Sequence, residues 1–185
     1  MARIDITATV LGDKELVAAL QRMRSHDVDK AVRDGVRYAA RGGRTAIAKN
    51  IGAHYSLAAG RIKQDVTQPS FQEGGKVAVI RTMRKPITAM QFKARETRKG
   101  LSMSIYRGQR TVVKSGFIAK GKPFKRTGKE RYPLDVIHGP SIHAIYTGGR
   151  HAEAISSATE QRIQEQLEKG ILRSLQSMSR GFGRS

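Results

Sequence analysis

Residues 25–50 read SHDVDKAVRDGVRYAARGGRTAIAKN, and this stretch sets the first large element of the fold. Val28, Ala31, Val32, Val36, Ala39, Ala40 and Ile47 recur at steps of three and four residues. That period places side chains on one face of a helix. Ser25-His26-Asp27 offers a cap at its start. The helix is expected to run to about Asn50 and to end near Gly52. Gly42-Gly43 inside it is expected to mark close packing or a kink.

Upstream, Ile4, Ile6, Ala8 and Val10 alternate with Arg3, Asp5, Thr7 and Thr9, the pattern of a half-buried strand over residues 3–10. After Gly12, Leu16, Val17, Leu20 and Met23 predict a helix that Asp13 can cap. Downstream, a short helix is expected from Ser56 through Ile62 to Asp65. The period then changes. Residues 77–81, 87–94, 101–106 and 111–119 read as strands, separated by Gly74-Gly75, Lys85-Pro86, Lys99-Gly100 and Gly108. Residues 120–132, KGKPFKRTGKERY, are too polar and too marked by Gly and Pro for a core element, so an exposed basic loop or arm is expected. Ile155, Ile163, Leu167, Ile171 and Leu175 form the apolar stripe of a C-terminal helix, and residues 179–185 are expected to be a flexible tail. The order implies one α+β domain over residues 1–178. An antiparallel sheet packs with a long N-terminal helix and a C-terminal helix, with extended loops or arms.

Charge narrows the function. The 185 residues hold 35 Lys or Arg against 15 Asp or Glu, a formal charge of +20. Such an excess repels itself in a compact monomer and points to a polyanion or an acidic protein as partner. It is uneven: residues 76–131 carry 17 bases and two acids, Glu96 and Glu130. The C-terminal helix carries Glu153, Glu160, Glu165 and Glu168 instead, so copies of the chain could meet basic face to acidic face.

The same composition argues against catalysis. With no Cys, there is no disulfide framework, thiolate metal site or thiol nucleophile. His26, His54, His138, His143 and His151 lack metal-ligand spacing, and no HExxH occurs. Asp135, His138 and Ser141 imitate a hydrolase triad only by crowding within seven residues, and no nucleophile elbow is present. Gly121 to Gly128-Lys129 has six intervening residues where a phosphate loop has four, and Glu130 follows where Ser or Thr would bind magnesium. No catalytic residue, cofactor or metal site is expected. No window approaches 18 apolar residues and no signal-peptide stretch follows Met1, so a soluble cytoplasmic product without a membrane span is expected. The rival reading is sequence-independent nucleic-acid binding, with Phe92, Tyr106, Phe117 and Phe124 interleaved among bases that include Lys93, Arg107 and Arg110. For Phe117 a place in the sheet core is expected instead.

A set of motifs in order resembles the prophage minor tail protein Z family, the tail-completion proteins of long-tailed bacteriophages. They are the Lys30–Ile51 helix, Tyr55-Ser56-Leu57, Arg61-Ile62-Lys63, the run from Phe92 to Leu101, Gly116-Phe117-Ile118-Ala119 and Phe124-Lys125-Arg126. The last runs from Tyr132 to Ser141 (YPLDVIHGPS), close to the family's arginine, "LPI", "GPS" pattern. The resemblance spans roughly residues 28–175 and departs from the simplest pattern at the insert 120–132 and the first strand. It implies a structural virion component, without an active site, assembled in the host cytoplasm. Its place would be the head-proximal end of the tail, in tail completion and head-tail joining. Partners would be other copies in a sixfold ring, the tail terminator, tail tube or neck proteins, and DNA passing through the lumen. Interface or DNA-facing candidates are Arg84, Lys85, Arg95, Arg98, Lys99, Lys120, Lys122, Lys125, Arg126, Lys129 and Arg131, together with Tyr132, Pro133, Gly139, Pro140 and Ser141. Gly139-Pro140-Ser141 is expected to be a rigid turn bordering a subunit contact.

Overall fold

Two long helices and a set of short strands make up the described chain. The computed structural model describes the backbone of residues 2–7 and 25–182, and side chains for 25–178. The elements in order are β1 (Ala2–Thr7), α1 (Ser25–His54), α2 (Ala59–Gln64), β2 (Ser70–Gln72), β3 (Val77–Thr82), β4 (Ile87–Thr88) and β5 (Arg95–Thr97). They continue with β6 (Gly100–Met103), β7 (Thr111–Val113), β8 (Gly116–Ala119), β9 (Lys122–Arg126), β10 (Leu134–Val136), β11 (His138–Gly139), α3 (Ile142–Gly148) and α4 (Ala152–Phe182). This is an α+β fold. By their internal contacts the residues group into two compact units, a helical one of 2–47, 67–81 and 156–185 and a sheet-rich one of 48–66 and 82–155.

In the helical unit, α1 and α4 meet where both carry glycine. A Cβ at Gly35 would lie 2.5 Å from Ile171 Cγ1, and one at Gly170 would lie 2.8 Å from the Gly35 Cα. Only hydrogen on these two residues permits so close a crossing. About two turns further along α1, a Cβ at Gly42 would sit 3.0 Å from the Gln166 side chain, so Gly42-Gly43 marks close packing, within a continuous helix. Val36, Ala39, Ala40 and Ile47 of α1 are buried, as are Ile163, Leu167, Ile171 and Leu175 of α4. Ser174 Oγ donates to Asp34 Oδ2 at 2.9 Å and adds a polar tie between the helices. The sheet β1-β3-β2 places β3 at its centre, where Ala78, Val79 and Ile80 are all fully buried.

The sheet-rich unit contains three small antiparallel sheets, β5-β6-β7, β8-β9-β10 and β4-β11. Leu101, Met103, Ala89 and Ile137 form a buried cluster, with Ile118 and Val113 packed against it. Ile51, Tyr55, Ile62, Ile142 and Ile145 are buried as well.

Several expected boundaries differ. The expected strand 87–94 is only two residues of strand, followed by a 3-10 turn at Ala89–Phe92 and a left-handed Lys93. The chain turns there because Ala89 N donates to Ile137 O, at 3.0 Å, and Phe92 buries its ring. The expected strand 111–119 is two strands in different sheets, split at Lys114-Ser115, where Ser115 has φ 61°. The expected arm at 120–132 contains β9, the central strand of its sheet. Lys120 and Gly121, at φ 49° and 72°, form the two-residue turn into it, and positive φ at both positions matches the right-handed strand twist of a hairpin. Only residues 127–133 remain a loop. α2 begins at Ala59, because Ser56 is spent on Ser104. α4 runs to Phe182, into the expected tail. The expected helix from Asp13 and residues 8–10 of the first strand lie outside the described residues.

Candidate functional site

The eleven candidate bases are all exposed. Arg84 and Lys85 lie in the link from β3 to β4, Arg95 on β5, and Arg98-Lys99 form the turn from β5 to β6. Thr97 Oγ1 closes that turn by donating to Gly100 O at 2.7 Å. Lys120 stands on the β8–β9 turn, Lys122, Lys125 and Arg126 on β9, and Lys129 and Arg131 in the loop after it. Among the described residues none of the eleven makes an ion pair. The sheet-rich unit holds 19 Lys or Arg against five Asp or Glu, so carboxylates to pair with are few.

The register of β8-β9-β10 sorts these side chains by face. A Cβ at Gly116 would lie 2.7 Å from Leu101 Cβ, and Ile118 packs on the Leu101 cluster, so 116 and 118 face inward. By alternation Phe117 faces outward, opposite Phe124, with ring centroids 6.1 Å apart. This corrects the expectation that Phe117 joins the core: its ring is half-buried on the outer face. Lys122 and Arg126 share that face, on either side of Phe124. Lys125 pairs across the sheet with Asp135. Thr127 Oγ1 donates to Pro133 O at 3.0 Å and closes the base of the 127–133 loop, in which Tyr132 is 67% exposed.

The Gly139-Pro140-Ser141 segment works differently from the expected turn. Gly139 is a strand residue paired with Ile87, outside the left-handed region. It must be glycine because a Cβ there would run into the Phe92 ring, 2.8 Å from Cδ2. Ser141 is buried and caps α3, its Oγ accepting from Ala144 N at 3.1 Å. That hydroxyl is therefore committed to structure, and the Asp135, His138, Ser141 trio occupies β10, β11 and a helix cap.

A second basic feature is not marked by any local sequence pattern. A cleft of about 740 Å³ is lined by Lys93, Arg107 and Arg110. Its signal was present, since all three bases stood among the candidates for phosphate contact, but they are separated by up to 17 residues. Only the turn at Ala89–Phe92 and the loop after β6 bring them together. His54 and His151 also meet, stacked with centroids 4.5 Å apart. Burial, then His54 and Arg150, holds His151 below the usual histidine range. Among the described residues no group of three or more His, Asp or Glu could hold a metal ion, and no helix is long and apolar enough to cross a membrane.

The fold and its surface define a class: a small, strongly basic α+β protein that carries its charge on turns and sheet faces. The chain belongs to the prophage minor tail protein Z family, structural proteins of bacteriophage tails; the family model described as prophage minor tail protein Z (GPZ) matches residues 10–180. No curated protein and no solved structure matches it.

Proposed function

We propose that this chain is a tail-completion protein, a component without catalytic activity that acts at the head-proximal end of the tail and in head-tail joining. Copies form a ring, six to match a tail tube, beside terminator, tube or neck proteins in the virion. The observation that carries this reading is the exposed, unpaired charge of the sheet-rich unit. Eleven exposed bases that form no ion pair among the described residues are costly to a lone molecule and favourable against an acidic neighbour. They sit on several turns and strands, as a surface that meets shaped protein neighbours requires.

A second reading has one observation in its favour. The outward Phe117–Phe124 pair, flanked by Lys122 and Arg126, offers rings and cations together, the combination that holds single-stranded nucleic acid or backbone phosphates. The test reverses Arg84, Lys85, Arg98 and Lys99 to Glu together. Tails are expected to fail to complete, or to fail to join heads, even in cells where no DNA is being packaged. Normal tails and normal joining, with only DNA retention or ejection altered, would overturn the protein-docking reading in favour of lumen DNA.

A further inference from the structure

We propose that the Lys93–Arg107–Arg110 cleft is a preformed docking site for an acidic, extended peptide segment of a neighbouring protein. Its walls come from three separate segments that backbone hydrogen bonds hold in place. Ser56 N donates to Ile105 O at 3.0 Å, Arg107 N to His54 O at 2.9 Å, and Ser104 N to Phe92 O at 2.8 Å. Inside, the Ser56 and Ser104 hydroxyls bond each other at 2.9 Å and are shared with Tyr106 O, so these polar groups are already satisfied. Arg110 is held on three sides: Nε donates to Ser102 Oγ at 2.9 Å, and Nη2 donates to Lys93 O at 3.0 Å and Ser102 O at 3.1 Å. Among the described residues the Arg107 and Lys93 side chains have no such ties, and no carboxylate lines the cleft.

The backbone at Lys93 allows its side chain to be tested apart from the fold. Its φ of 53° is left-handed, a conformation that disfavours a lysine and suits a glycine. Replacing Lys93 by glycine therefore removes the cation without straining the backbone that carries it. Leu57 and Ala58 add apolar atoms to the lining. A lining that carries exposed cations beside the apolar atoms of Leu57 and Ala58 suits a peptide that alternates carboxylate and apolar side chains, as an extended strand presents them. A DNA duplex, a convex rod, would meet the cations alone.

This inference rests on reading the basic excess as protein-docking surface, but binding by the isolated chain is measured independently of tail completion. The probe is a fluorescein-labelled hexapeptide of alternating glutamate and leucine, titrated with the full chain at 0.15 M salt and followed by anisotropy. A labelled single-stranded oligonucleotide of the same net charge is the competing probe. Arg107→Glu is expected to weaken peptide binding about tenfold or more, whereas Lys169→Glu, on α4, changes it less than about twofold. Lys93→Gly is expected to melt no lower than the parent and still lose peptide affinity, a split that a purely structural lysine would not produce. The proposal is overturned if the peptide does not bind, if Lys169→Glu weakens it as much as Arg107→Glu, or if only the oligonucleotide depends on the cleft.

Discussion

Adding one methyl group at Gly139 tests the central packing of the sheet-rich unit. The Cβ of Gly139→Ala would fall on the edge of the Phe92 ring, 2.8 Å from Cδ2 and 3.0 Å from Cζ. Neither partner has room to withdraw. Phe92 is 0% exposed, its carbonyl is bonded to Ser104 N, and Gly139 is paired with Ile87 across two strands. Overpacking a core in this way costs about 1–3 kcal/mol, and a rigid ring with both backbones pinned puts this case near the upper end. For a chain of this size that lowers the melting temperature by roughly 6–12 °C. Urea unfolding of Gly139→Ala, Phe92→Leu and the double variant measures it. Leucine removes the far ring atoms, so the double variant should cost less than the sum of the singles by about 1 kcal/mol or more. Gly60→Ala is the control: it lies inside α2 with nothing within 4 Å of its Cβ, and should be neutral or stabilising by up to about 1 kcal/mol. A Gly139→Ala protein that unfolds within about 0.5 kcal/mol of the parent, or two substitutions that simply add, would refute a clash between Gly139 and Phe92.

Two further outcomes are expected. Ser141→Ala removes the α3 cap and should cost about 1 kcal/mol, with Ser141→Asp restoring most of it; an unchanged urea midpoint for Ser141→Ala would contradict the cap. Burial, then the neighbouring Tyr106, pushes the Tyr55 phenol up from its ordinary value of 10.0 to about 12. The folded state therefore favours the protonated phenol, and its contribution is complete below about pH 10 and lost as pH rises to about 12. Tyr55→Phe should lose less stability than the parent across that window, and parallel urea-midpoint curves for the two proteins would contradict it.

The helices were legible because their signal is local. The apolar stripe of Ile155, Ile163, Leu167, Ile171 and Leu175 is read from spacing, and all five side chains are buried. The charge imbalance was equally legible, since it needs only counting. Strand boundaries were not. A strand of two or three residues, such as β4 or β10, is too short for alternation to register, and β9 carries Pro123 and three bases that read as loop. It becomes a central strand because β8 and β10 satisfy its backbone on both sides, a gain no local pattern records.

The sequence by itself therefore determined the α+β class, the two long helices and the basic excess, which follow from periodicity and composition. Only the tertiary structure decided why Gly35, Gly139 and Gly170 must be glycine, since each answers to an atom distant in sequence. It alone turned Phe117 outward, by fixing register against the Leu101 cluster. It also gathered Lys93, Arg107 and Arg110 around one cleft, because side chains 17 residues apart meet only where backbone hydrogen bonds fold the intervening strands back on themselves.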